Sequence, residues 1–175
     1  KVVADTLTRA TLNLHKSVSN AFPATSANFH YVWTLRELSA VAQGLCRALR
    51  PYYSNPAAVV RLWVHETERV YSDRLMTYPE LETFKRYHQD ITLKWFDEHT
   101  EVAKILEAPT VFTCFHTTTT DAHDRPYTAI NDTAKLHRIL EDKLAEHNEL
   151  HAEMPLVMFA QAVAHVCRIA RILDL

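Results

Sequence analysis

Glycine is nearly absent from this sequence: its 175 residues contain one, Gly44. Loops that cradle phosphate need several glycines so that backbone N–H groups can converge on the anion, and the Walker A and dinucleotide fingerprints both require more than one. The chain therefore holds no complete nucleotide loop of either kind. The same shortage removes the residue that tight hairpins use at positive φ, which tilts the fold toward helices. Cysteine is sparse as well. Cys46, Cys114 and Cys167 are odd in number, far apart and form no C-x-x-C pair, a pattern of reduced thiols, with Cys46 and Cys167 expected as small core residues of helical segments. No apolar run approaches the ~18 residues that a spanning helix needs. Charge of one sign is also missing: 19 basic against 21 acidic residues, a formal charge of −2 and a pI near 6.6 provide no basic field for nucleic acid or an anionic membrane surface.

What is present reads as helix. Apolar residues make up 47% and charged residues 23%, near the averages of folded proteins, and the length suffices for one domain or two small helical units. Leu7, Leu14 and Val18, with Ala10 and Thr11 between them, recur at helical spacing up to Phe22 and Pro23. Asn28 to Trp33 is aromatic-rich and reads as briefly extended. Thr34-Leu-Arg-Glu37 has the capping-box pattern, in which the Thr hydroxyl and Glu carboxylate each satisfy a free backbone N–H. The pattern predicts a helix from Leu35 with Leu35, Leu38, Ala42, Leu45 and Leu49 on one side, stopping before Pro51.

Asn55-Pro56 predicts an N-cap followed by a first-turn proline, opening a helix to about Tyr71. Tyr78-Pro79 repeats that arrangement for a helix through Leu81, Phe84, Tyr87, Ile91 and Trp95. A short turn over Val102 to Leu106 ends at Ala108-Pro109, where the texture changes. Thr110 to Phe115 alternates hydroxyl or β-branched residues with aromatics, and Arg125 to Ile130 can pair with it, with the polar Thr117–Asp124 loop between. Two more helices are predicted, one capped by Asn131 or Asp132, the other started by Pro155 and running through Phe159, Val163, Val166, Ile169 and Ile172. The fold class is thus mainly α, with a short β-hairpin or irregular segment and two further helices. The internal boundary falls near Pro109, dividing 1–108 from 109–175.

Three groups of residues raise chemical possibilities. His147 and His151 are four apart and share a helix face, which suits either a divalent ion or two solvated side chains, but the residues around them do not form H-E-x-x-H. Cys114, His116, His123 and Asp124 are ligand types around the threonine loop, with a spacing that fits no short zinc module. Arg36 is placed by the capping box at the second position of a helix. Its guanidinium then projects from a helix start, a neighbourhood favourable to anions, and its planar fork suits phosphate oxygens. The alternative is a surface salt bridge with Glu37 or another carboxylate. No serine or cysteine has the setting of a catalytic nucleophile, so no catalytic residue and no metal ligand is assigned.

Three stretches carry a family resemblance. Phe29-His-Tyr-Val-Trp-Thr-Leu-Arg-Glu-Leu-Ser39 with Gln43-Gly44-Leu45 resembles the dynein heavy-chain segment F-H-Y-x-F-N-L-R-D-L-S and its Q-G-L continuation. Val60 to Glu66 and Arg69-Val-Tyr-Ser-Asp-Arg-Leu75 resemble the next helix of that family. Met154-Pro-Leu-Val-Met-Phe159 and His165 to Leu173 resemble the helix that leads into the fourth AAA+ module. Order and separation match as well, and the axonemal heavy chains are the nearest subgroup.

The resemblance implies that residues 1–108 are the C-terminal helical lid of the third AAA+ module and that 109–175 begin the fourth, with Lys1 internal to a longer chain and a Walker A loop following Leu175. It implies that Arg36 is the sensor-2 residue, reaching toward the terminal phosphate of nucleotide held by the large subdomain, with Thr34 and Glu37 as the supporting cap. Glu37 stands where the family has Asp, and Thr34 where it has Asn; both changes keep a capping chemistry. The implied function is regulatory: a lid that senses nucleotide and relays its state around the ring of an ATP-driven microtubule motor in a cilium or flagellum. No cofactor is expected in the chain alone, and ATP or ADP with Mg in the parent motor. The expected partners are the large subdomains of the third and fourth modules and, through the parent, the microtubule, with no nucleic acid or membrane. The alternatives are a stand-alone helical scaffold for protein interaction and a metal-binding helical protein.

Overall fold

The computed structural model describes residues 2–96, 102–107, 111–115, 126–130 and 132–174. The chain divides into two compact units, Lys1–Pro109 and Thr110–Leu175. The first is helical. It contains α1 (Val2–Ala21), α2 (Leu35–Cys46), α3 (Pro56–Tyr71), a 3-10 turn (Ser72–Arg74), α4 (Tyr78–Phe96) and α5 (Val102–Glu107).

Helix α3 lies at the centre, with α1, α2, α4 and α5 packed around it, and from Val60 to Tyr71 it buries Leu62, Trp63, Val64, Val70 and Tyr71 together with the polar His65, Glu66 and Thr67. Its start follows the Asn55-Pro56 pattern, the Asn55 side chain accepting the Ala57 N–H at 3.0 Å. Thr67 and the Trp63 indole are hydrogen-bonded within the core. The Thr67 hydroxyl donates to the Trp63 carbonyl at 2.7 Å and lies 2.8 Å from His88 Nε2, while the Trp63 indole N–H donates to Thr11 Oγ1 at 2.8 Å. These contacts supply partners that burial in the core would otherwise deny.

The aromatic lead-in before α2, read from its composition as briefly extended, has no regular secondary structure. It works as a clasp. The Trp33 indole N–H donates to the Phe22 carbonyl at 2.7 Å, satisfying an acceptor left free at the end of α1. The Tyr31 phenol accepts the Met76 N–H at 3.0 Å and donates to Glu80 at 2.9 Å, tying the lead-in to the start of α4. That start is also capped one residue earlier than the Tyr78-Pro79 pattern indicated: Thr77 N–H and its hydroxyl both donate to Glu80 Oε2, at 3.0 and 2.8 Å.

Helix α2 begins at Leu35 as its capping box predicts, but its packed face differs. Glu37, Val41 and Gly44 are buried, whereas Leu35 is 79% exposed and Ala42 and Cys46 are exposed. The helix also stops at Cys46, short of Leu49. An apolar count missed this face because a glutamate and a glycine are two of its three buried residues.

The second unit pairs β1 (Val111–Thr113) antiparallel with β2 (Thr128–Ile130), Val111 facing Ile130 and Thr113 facing Thr128, where the alternating pattern predicted a hairpin. Helix α6 (Thr133–Leu150) is capped by Asp132, whose carboxylate accepts the Lys135 N–H at 3.0 Å. Helix α7 spans Ala160–Leu173 and starts five residues later than Pro155 suggested. Just before Pro155 the Met154 N–H and carbonyl are held by the Asn148 side chain. Leu136, Leu140, Val163 and Cys167 form the core of this unit. Phe159, Ile169 and Ile172, expected to face inward, are exposed; Arg171 is buried on the face of α7 in their place.

Candidate functional site

The first turn of α2 gathers the residues that the sequence singled out. Thr34 is the N-cap in extended conformation, its hydroxyl oxygen accepting the Arg36 N–H at 3.2 Å. Glu37 closes the box: its Oε2 accepts the Thr34 N–H at 2.5 Å and lies 3.0 Å from the Thr34 hydroxyl. Arg36 is the second residue of the helix and is exposed. Its guanidinium makes no hydrogen bond or ion pair among the described residues. The salt bridge with Glu37 that was its main competing role is not formed.

Glu37 has another partner. Its Oε1 receives Arg74 Nη1 at 2.8 Å, and its side chain is 4% exposed against 42% for Arg74. The Arg74 guanidinium also lies 5.7 Å from the centre of the Trp33 ring. Burial works to raise the Glu37 pKa, but the hydrogen bonds from Thr34 and from its own backbone, with the Arg74 charge, outweigh it and hold the carboxyl below the usual carboxylate range. Glu37 therefore stays charged. A carboxylate beside a helix start is also favoured by the helix dipole.

Around this turn the lead-in and helix start expose apolar side chains, Phe29 at 78% and Val32 at 53% beside Leu35. Arg74 was missed from sequence because its partner lies in another segment. The one available signal was its place in the Ser-Asp-Arg-Leu stretch of the resemblance.

The metal candidates fare differently. Of Cys114, His116, His123 and Asp124, only Cys114 lies among the described residues, and its thiol donates to Asp174 at 3.1 Å. The His147 and His151 rings are 4.8 Å apart at the end of α6. Among the described residues no group of three or more His, Cys, Asp or Glu is placed to hold a metal, and no helix is long and apolar enough to cross a membrane.

An exposed guanidinium without partners has little to contribute to folding. Arg36→Ala is expected to change the stability of this chain by no more than about 0.5 kcal/mol, as read by thermal or urea unfolding. A loss of 2 kcal/mol or more would mean that the residue is structural.

Comparison with known proteins gives this arrangement a context. Residues 7–106 match the AAA+ lid domain family. Over 174 residues, 99% of the chain, the sequence is 41% identical to the dynein beta chain of the flagellar outer arm of Chlamydomonas reinhardtii. Over 172 residues, 98% of the chain, it is 38% identical to dynein axonemal heavy chain 17 of Homo sapiens and 37% identical to the ciliary dynein beta chain of Tripneustes gratilla. In each case the chain spans 4% of the relative's length.

Proposed function

We propose, for a chain that belongs to the AAA+ lid domain family, that its first unit is the nucleotide-sensing lid of one AAA+ module in an axonemal dynein heavy chain. The second unit would then lead into the next module. The parent is taken as an ATP-driven microtubule motor of a cilium or flagellum, on the strength of the flagellar, axonemal and ciliary dyneins that match nearly the whole chain. In this reading Arg36 is the sensor. It reaches from the lid to the terminal phosphate of ATP held, with Mg, by the large subdomain of the same module, and the neighbouring large subdomains are the partners that receive the signal.

The observation that carries the reading is the unengaged guanidinium of Arg36 at a capped helix start, beside a carboxylate that Arg74 already occupies. A planar cation at the positive end of a helix is arranged to meet an anion. The exposed Phe29, Val32 and Leu35 fit a surface that is covered by protein when the lid closes. The lid itself would carry no catalytic residue. Its chemistry would be recognition: a hydrogen-bonded contact made when the terminal phosphate is present and lost when it leaves.

Arg36→Ala in the parent motor tests this. Loss of a charge-assisted contact worth about 1.5–3 kcal/mol predicts that ATP binding at this module weakens roughly tenfold to a hundredfold while ADP binding changes little. Equal ATP and ADP affinities before and after the substitution would refute the assignment.

A further inference from the structure

Glu37 poses a problem for the reading above. It adjoins Arg36 in the same helical turn, and its carboxylate is charged, so on its own it would both attract the Arg36 guanidinium and repel an arriving phosphate. Arg74 removes both difficulties. It pairs with Glu37 Oε1 at 2.8 Å and is itself held from several sides: Nη1 lies 3.4 Å from the Val32 carbonyl, the guanidinium sits over Trp33, and the Arg74 carbonyl is 3.3 Å from His30 Nε2. These contacts hold the positive charge of Arg74 beside Glu37.

We propose that Arg74 is a positioning residue for the phosphate contact of Arg36, neutralising Glu37 so that the carboxylate caps the helix without capturing the guanidinium beside it. The proposal rests on the nucleotide-sensing reading of Arg36. Glu37 thereby serves two partners with different oxygens: Oε2 takes Thr34 and Oε1 takes Arg74. Arg36 is left to the ligand. Without Arg74 the 4% exposed carboxylate would carry an unbalanced charge next to Arg36 in the chain, free to draw its guanidinium away from the ligand.

The test measures the ratio of ATP to ADP affinity at this module in the heavy chain that carries this segment. Arg36→Ala comes first: if it leaves the ratio unchanged, the sensing reading fails and the present proposal fails with it. If Arg36→Ala lowers the ratio, Arg74→Gln is expected to lower it as well, by about fivefold, the order of a partly exposed ion pair. Glu37→Gln combined with Arg74→Gln should restore most of the loss, because no carboxylate remains to hold Arg36. A residue that merely supports the fold would give a double variant no better than Arg74→Gln alone, and that result overturns the proposal. An unchanged ratio in Arg74→Gln overturns it too, with the sensing reading intact. Should Arg74→Gln not fold, Arg74→Lys serves: it keeps a charge beside Glu37, so a largely retained ratio supports the proposal and a loss as large as that of Arg36→Ala overturns it.

Discussion

Replacing Gly44 with alanine is expected to destabilise the first unit by about 2 kcal/mol, the range of overpacked cores, although the same change in an exposed helix interior adds stability. A Cβ at Gly44 would stand 1.8 Å from Glu66 Oε2, 2.4 Å from its Cδ and 2.8 Å from its Cγ. Flexible side chains often step aside from such a clash, but Glu66 is 0% exposed, and its side chain has no solvent to move into. The only glycine of the sequence is therefore explained by the close approach of α2 to α3. Its φ is not positive, so backbone freedom is not the reason. For a unit of about 100 residues the predicted loss lowers the melting temperature by roughly 10 °C. Glu66→Ala in the Gly44→Ala background should cost less than the sum of the two single changes, since it removes the clashing atoms. A melting temperature that is unchanged or raised in Gly44→Ala would contradict this packing.

The second large effect is a loss of stability in mild acid, centred on His88. This side chain is 2% exposed, stacked between Trp63 and Phe84 at ring distances of 5.5 and 5.4 Å, and burial lowers its pKa from 6.5 to about 4. The folded chain therefore holds His88 neutral where the unfolded chain protonates it. Stability from this residue is fully present above pH 6.5 and falls as pH drops toward about 4, where the folded state takes up the proton as well. A depression of this size corresponds to on the order of 3 kcal/mol. His15, also lowered by burial, adds to the loss in the same direction. Glu37, whose pKa is depressed, acts in a lower window, its contribution fading as pH falls below the ordinary carboxylate value. Urea unfolding of the wild type and of His88→Gln at pH 7.5 and pH 5 separates these effects. The variant should lose much less stability between the two pH values, and equal slopes would contradict the assignment.

Local chemistry was legible in the sequence where it acts over three or four residues. The Thr34–Glu37 box, the Asn55-Pro56 start, the Asp132 cap and the alternation of the hairpin are all satisfied by groups within one turn or one strand pair. What escaped was decided by contact between segments. The packed face of α2 depends on Glu37 meeting Arg74 and on Gly44 meeting Glu66, and neither contact registers in a count of apolar positions. The inward turn of Arg171 on α7 escaped for the same reason. At the candidate site, the position and exposure of Arg36 followed from the capping pattern, whereas the pairing of Glu37 with Arg74 joins segments that no spacing rule connects.

The central claim is that Arg36 meets the terminal phosphate of a nucleotide. Its most direct test is a structure of the complete AAA+ module, lid and large subdomain together, with a non-hydrolysable ATP analogue bound. The account predicts a guanidinium nitrogen of Arg36 within about 2.7–3.2 Å of a terminal phosphate oxygen, with Arg74 still paired to Glu37. An Arg36 side chain turned away from the nucleotide, or joined to Glu37 while ATP occupies the closed module, would contradict it.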